Sequence, residues 1–153
     1  VLQGRWQLGI ITLNPEPHAQ LQQQAIWKDT MQFVAAPEHP LSQQNSVDLS
    51  QLSSFPALLS KTNTFTRRIV EHDFAAQNLA LKVAMSTNNL DTIRMMVSIG
   101  MGWSILPHTL LNSQIKVIDT LAKPIIRQLG CVWHPQRTLS NAAEAFIELL
   151  QTP

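Results

Sequence analysis

Short apolar runs separated by turn signals dominate the first half of the chain. Leu8-Gly9-Ile10-Ile11 ends at Thr12 and is broken by Asn14-Pro15-Glu16-Pro17, the pattern of a buried strand followed by a loop. Ala25-Ile26-Trp27 and residues 31–36 give two further strand candidates, the second ended by Pro37. Residues 42–54 are polar and rich in Gln and Ser, and Asp48-Leu49-Ser50-Gln51-Leu52 within them fits one helical turn. Ala57-Leu58-Leu59 predicts a short strand. Phe65, Ile69, Val70 and Phe74 then share one helical face, with Arg67, Arg68, Glu71 and Asp73 elsewhere.

The second half repeats this alternation. Residues 81–85 read as a strand, and Asn88-Asn89-Leu90-Asp91 supplies a cap with an acid three residues on. Leu90, Ile93 and Val97 follow at helical spacing until Gly100 closes the helix. Trp103-Ser104-Ile105-Leu106 is a strand, and Pro107 suits the first position of a short helix. Residues 115–118 predict a short strand and residues 129–133 another, ended by Pro135. Ser140 caps a last helix whose expected apolar face is Ala142, Phe146, Leu149 and Leu150. Strands alternating with helices imply an α/β fold with a largely parallel sheet.

Composition agrees with a folded domain: of 153 residues, 44% are hydrophobic and only 14% charged. The net charge of +1 comes from 11 basic and 10 acidic residues, and Arg67-Arg68 is the one tight basic pair. This segment alone is therefore a poor DNA binder. Cys131 is the sole cysteine, so no intrachain disulfide forms, and its apolar surroundings suit an inert core thiol. No apolar run approaches the roughly 18 residues that a membrane helix needs, so no membrane partner is expected. The given residues carry no signal-peptide pattern, and from Val1 they read at once like the middle of a domain.

Enzyme motifs fail one by one. Gly100-Met101-Gly102 lacks the third glycine and the lysine of phosphate-binding loops, and it follows a helix instead of a strand. His18, His39, His72, His108 and His134 form no pair at helical metal-ligand spacing. Cys131 and His134, three apart on a strand, face opposite sides. No Gly-x-Ser-x-Gly elbow is present. The expectation is no catalytic residue, no metal and no cofactor.

Small polar residues instead mark two successive strand-to-helix turns. Ser60, Thr62, Asn63, Thr64 and Thr66 occupy the first, and Ser86, Thr87, Asn88 and Asn89 the second. In a parallel α/β sheet such turns lie at the carboxyl ends of strands, where helix N–H groups and ligands meet. Helix capping accounts for each turn equally well; two in succession favour a cleft without identifying its ligand. Arg67 and Arg68 oppose the helix dipole. They are either solvated, or one neutralises an anionic ligand or pairs with an acid of a partner subunit.

The order of these landmarks resembles the effector-binding domain of LysR-type transcription regulators. Gln7-Leu8-Gly9-Ile10-Ile11 is similar to that family's "LDLAI" strand, with Gln7 in place of the acid. Phe33-Val34-Ala35-Ala36-Pro37-Glu38-His39-Pro40-Leu41 resembles its strand and His-Pro-Leu segment. Asp48-Leu49 through Leu52 and Pro56 resembles its "dL…P.i" stretch, and Phe65-Thr66-Arg67-Arg68 its helix with an early arginine. The most specific match is to "V..G.G...LP", at Val97-Ser98-Ile99-Gly100-Met101-Gly102-Trp103-Ser104-Ile105-Leu106-Pro107. Arg137-Thr138-Leu139-Ser140, leading into Ala142-Ala143 and Phe146, is similar to the final helix.

The resemblance implies a type 2 periplasmic-binding-protein-like fold, with two α/β subdomains, a cleft and a two-strand hinge near Val34-Ala35-Ala36 and Gly130-Cys131-Val132. Residues 1–36 and 129–153 would form an incomplete first subdomain, residues 37–128 an essentially complete second. It implies a small polar or anionic effector bound by Thr12, Thr62, Asn63, Thr64, Ser86, Thr87, Asn88, Met101 and Gly102. It also implies a cytoplasmic homodimer or homotetramer, with helix 65–77 a candidate contact, and DNA binding only through an amino-terminal domain that this chain lacks. Two rival readings stand beside it: a secreted type 2 solute-binding protein of a transport system, and an enzyme on the same fold. The second would need acids and bases converging where these turns offer hydroxyls and amides.

Overall fold

The computed structural model describes residues 1–13 and 18–151; the loop expected at Asn14-Pro15-Glu16-Pro17 lies outside them. Among the described residues the elements follow in the order β1 (Leu8–Thr12), β2 (Gln22–Ala35), α1 (Leu49–Ser53), β3 (Ala57–Leu59), α2 (Phe65–Ala76), β4 (Val83–Ser86), α3 (Leu90–Ser98), β5 (Ser104–Pro107), β6 (Lys116–Val117), β7 (Ile125–Trp133) and α4 (Asn141–Gln151). Short 3-10 turns occupy Pro40–Gln43 and His108–Leu110. The chain divides into two compact units, Val1–Asp29 with Arg127–Pro153, and Thr30–Ile126.

In the first unit β1 runs antiparallel to β7, from Leu8 opposite Trp133 to Thr12 opposite Leu129, and β7 also borders β2. The two strand candidates around Trp27 and Phe33 are one continuous strand of 14 residues. No glycine or proline separates them. Asp29, which interrupts the apolar pattern, is 5% exposed and accepts hydrogen bonds from Arg127 Nε at 2.9 Å and Nη2 at 2.5 Å. A charge pair between neighbouring strands thus replaces apolar contact at that point. In α4, the Ser140 hydroxyl accepts from the Ala143 N–H at 3.3 Å. Its expected apolar face is corrected: Ala142, Phe146 and Leu149 are exposed, while Ala143, Ile147 and Leu150 form the half-buried stripe. Their i, i+4, i+7 spacing follows the 3.6-residue period one step from the predicted face.

The second unit has two apolar layers, and strand periodicity sorts residues between them. Phe33, Leu59 and Ile105 enter one layer with Val70 and Phe74 of α2; their neighbours Val34, Leu58 and Leu106 enter the other with Ile93 and Val97 of α3. Trp103 anchors the first layer. Its ring stacks on Phe74 at 5.9 Å, and its indole N–H donates to the carbonyls of Leu52 at 2.9 Å and Phe55 at 3.3 Å.

Strand direction departs from the expectation of a largely parallel sheet. β3 and β4 are parallel, as is the bridge from Ala57 to Trp103, because α2 and α3 supply the crossovers. β2 meets β5 and β6 antiparallel, since it brings the chain into the unit from the opposite direction. The two glycines of the Gly100-Met101-Gly102 segment serve this junction. Gly100 adopts φ +82° and closes α3, its N–H bonding the Val97 carbonyl and that of Met101 the Met96 carbonyl. A Cβ on Gly102 would collide with the Pro56 carbonyl, which the Trp103 N–H approaches to 3.1 Å.

Candidate functional site

The two polar turns lie side by side because β3 and β4 are adjacent and parallel. Each is built from the cap outward. Thr64 is extended at φ −90° and caps α2, its hydroxyl oxygen accepting from the Arg67 N–H at 3.4 Å. The same hydroxyl donates to the Lys61 carbonyl at 2.9 Å, so in the 2.7 Å contact between Ser60 and Thr64 the Ser60 hydroxyl donates. Asn89 caps α3, its side-chain oxygen accepting from the Thr92 N–H at 3.0 Å. The Asn89 N–H in turn donates to the Thr87 hydroxyl at 3.2 Å.

Three hydrogen bonds knit the turns together. The Lys61 N–H donates to the Asn88 side-chain oxygen at 3.0 Å, and the Thr87 N–H to the Leu59 carbonyl at 3.1 Å. The Ser86 hydroxyl donates to the Ser60 carbonyl at 3.3 Å. Thr62 and Asn63 stand exposed at the tip of the first turn, their side chains making no hydrogen bond among the described residues. The surroundings favour negative charge: Lys61 and Arg68 are exposed cations, and two helix amino termini converge.

Arg67 corrects its sequence reading. It is buried, its Nε donating to Glu71 at 2.7 Å and its Nη1 to the Ser60 carbonyl at 3.1 Å. It is not solvated; it holds the first turn through the Ser60 carbonyl. Glu71, one helical turn on, neutralises it within the chain.

Met101 and Gly102 do not join the cluster. Gly102 adjoins Pro56, ahead of β3, whereas Ser60 follows β3. Four residues of extended chain put roughly 13 Å between those points. The separation arises because Trp103 pairs in parallel with Ala57, so β5 begins where β3 begins. Its carboxyl end, Pro107 with His108 and Thr109 following, lies on the side of Ser60. That junction has the same strand-to-helical-turn form as the two turns, as the strand ahead of Pro107 and the short helix after it lead one to expect. Thr12 is half-buried at the end of β1, in the first unit. Among the described residues no group of three or more His, Cys, Asp or Glu side chains is placed to hold a metal, and no helix is long and apolar enough to cross a membrane.

Comparison with known proteins places this geometry. A family model described as the LysR substrate binding domain matches residues 1–152. The uncharacterized HTH-type transcriptional regulator YeiE of Escherichia coli (strain K12) is 29% identical over 126 residues, covering 79% of this chain and 43% of that protein. The RuBisCO operon transcriptional regulator of Acidithiobacillus ferrooxidans is 24% identical over 141 residues, 89% of this chain and 46% of that protein. The chain thus spans less than half the length of these two relatives. Among solved structures, the CcmR regulatory domain of Synechocystis PCC6803 in complex with 2-PG superposes with TM-score 0.84 at 21% identity, covering 97% of this chain and 74% of that one. The effector binding domain of QuiR in complex with shikimate gives 0.82 at 20% identity, covering 97% and 72%. These likenesses give the fold as α/β of the type 2 periplasmic-binding-protein kind, and with the family match over nearly every residue, the chain belongs to the LysR substrate binding domain family.

Proposed function

We propose that this chain senses a small polar or anionic effector on behalf of a LysR-type transcription regulator. The observation that carries the reading is the hydrogen-bonded pair of turns, with Thr62 and Asn63 exposed above it and uncommitted donors beside two helix amino termini. The similar CcmR and QuiR domains hold 2-PG and shikimate; shikimate is a hydroxylated carboxylate, the chemistry that such hydroxyls, amides and N–H groups complement. Thr12 and the end of β5 are further candidate contacts. The solute-binding protein of a transport system shares the fold but not the family match.

In this reading the domain performs no chemistry, resides in the cytoplasm and forms a homodimer or homotetramer through α2. DNA is bound by another part of the protein, as the HTH-type names of relatives suggest. The effector acts by binding one arrangement more tightly than another. The test is a thermal-shift and calorimetric screen of the full-length protein with hydroxy-carboxylates, shikimate and phosphorylated acids. A hit should raise Tm without being turned over, and Asn63→Ala should weaken binding about tenfold, the loss of one or two hydrogen bonds. Failure of a broad panel to stabilise the protein or alter promoter binding would overturn the reading.

A further inference from the structure

The outer face of α3 carries a second concavity. Ile93 and Val97 of this helix face the core. Asp91, Arg94 and Met95 instead line a groove of about 380 Å³, together with Asn89 at the start of the helix and with Asn112 and Gln114 of the segment after β5. That is the size of a small-molecule site. None of the residues exposed at the tip of the first polar turn takes part in it.

The groups of the groove are unevenly satisfied. Arg94 Nη2 meets Asp91 Oδ1 at 3.1 Å, with the Asp91 side chain 73% exposed and that of Arg94 36%; so open a pair holds its members weakly. Arg94 Nε is buried and has no hydrogen-bond partner among the described residues, an uncommon state for a donor that carries charge. Asn89 and Asn112 each give their side-chain oxygen to a backbone N–H, that of Thr92 at 3.0 Å and that of Gln114 at 3.0 Å. Their NH2 groups make no hydrogen bond among the described residues. Met95 is exposed and adds an apolar wall.

We propose that this groove binds a free, zwitterionic amino acid. The ligand's carboxylate takes Arg94 through Nε and one terminal nitrogen, the two-pronged contact that a guanidinium offers, and so supplies the acceptor that Nε lacks. Arg94 must turn toward the groove to do this, which its one exposed contact with Asp91 does little to resist. The ligand's ammonium takes Asp91, whose carboxylate has acceptor sites beyond the one given to Arg94. The NH2 groups of Asn89 and Asn112 add donors, and Met95 receives the ligand's side chain. A simple anion would meet Asp91 beside the same guanidinium, and a simple cation would meet Arg94; a molecule with both charges on neighbouring atoms meets neither penalty. This site stands apart from the pair of turns and does not depend on the reading that they hold the effector.

The test is calorimetric titration of the full-length protein with the free protein amino acids, one at a time. At least one should bind, one molecule per chain, with Kd below about 1 mM. Its N-acetyl and carboxamide derivatives, each lacking one of the two charges, should bind about tenfold more weakly or worse. Asp91→Asn and Arg94→Gln should weaken the free amino acid by a similar factor and leave Tm nearly unchanged, since both side chains lie at the surface. Asn63→Ala, in the separate pair of turns, should leave amino-acid binding as it is. The derivatives are compared on the wild-type protein, so the result does not hang on how the variants fold. Absence of binding at ~1 mM, equal binding of the derivatives, or binding that survives both Asp91→Asn and Arg94→Gln would overturn the site. Binding lost in Asn63→Ala would move the amino acid to the pair of turns, and would overturn the groove while leaving the effector reading intact.

Discussion

His39 shows how one side chain ties local geometry to solution behaviour. The residue is 8% exposed, and its ring meets Phe55 edge-on at 4.9 Å and accepts the Leu41 N–H on Nδ1 at 3.2 Å. Burial pushes its pKa below the ordinary 6.5, so the native ring stays neutral where an unfolded one takes a proton. As pH falls through 6.5 the unfolded state therefore gains protons first, and stability declines until the lower native pKa is passed. His39→Asn keeps an acceptor for the Leu41 N–H but cannot titrate. Its unfolding free energy, followed by urea denaturation from pH 7 to pH 5, should fall less steeply than that of the wild type; parallel slopes would rule His39 out. Cys131 behaves as its apolar neighbours suggest. It is 1% exposed, and burial raises its thiol pKa, which leaves little of the reactive thiolate.

At the scale of elements, the helix ends were legible and the strand partners were not. The cap at Ser140 was legible, and that of α3 falls on Asn89, one residue past Asn88, which has the acid Asp91 three residues on. Asp48 also caps, its carboxylate accepting the Gln51 N–H at 2.8 Å, and each of these caps spans only three residues. The partner that lets Asp29 be buried within β2 lies 98 residues away, at Arg127, and no local pattern announces that pair. Arg127→Met tests that pair. A buried carboxylate deprived of its guanidinium costs about 3–5 kcal/mol, so the urea midpoint should drop sharply. Replacing both partners, Asp29→Leu with Arg127→Met, should recover much of the loss. A double variant no better than the single one would show that the pair does more than satisfy mutual burial.

The whole molecule is uneven. The second unit closes two apolar layers around Trp103, Phe74, Ile93 and Leu106, each at most 1% exposed. The first leaves Trp6 71%, Ile10 43%, Trp27 45% and Leu149 72% exposed, large apolar surface of the sort that marks contact with other protein. Sub-global opening should therefore begin there. Native-state hydrogen exchange of this chain should show amides of β1 and α4 opening more readily than those of β3 and α3. Equal protection across both units would contradict the packing argument. The site is just as uneven in its legibility. Thr62, Thr64, Ser86 and Asn88 were visible as turn residues, but the bracing by Arg67 was not.

The sequence by itself determined the α/β class, the Ser140 cap, the start of α3 to within a residue, the Gly100 turn and the two polar turns. These rest on hydrogen bonds and periodicities that reach only a few residues along the chain. Tertiary structure alone decided which turns meet. The parallel pairing of β3 with β4 brings Lys61 to Asn88 across 27 residues, and that of Ala57 with Trp103 carries Met101 and Gly102 to the other end of the strands. Strand order is chosen by how apolar faces bury against one another over the whole unit, so it lies outside the reach of any local reading.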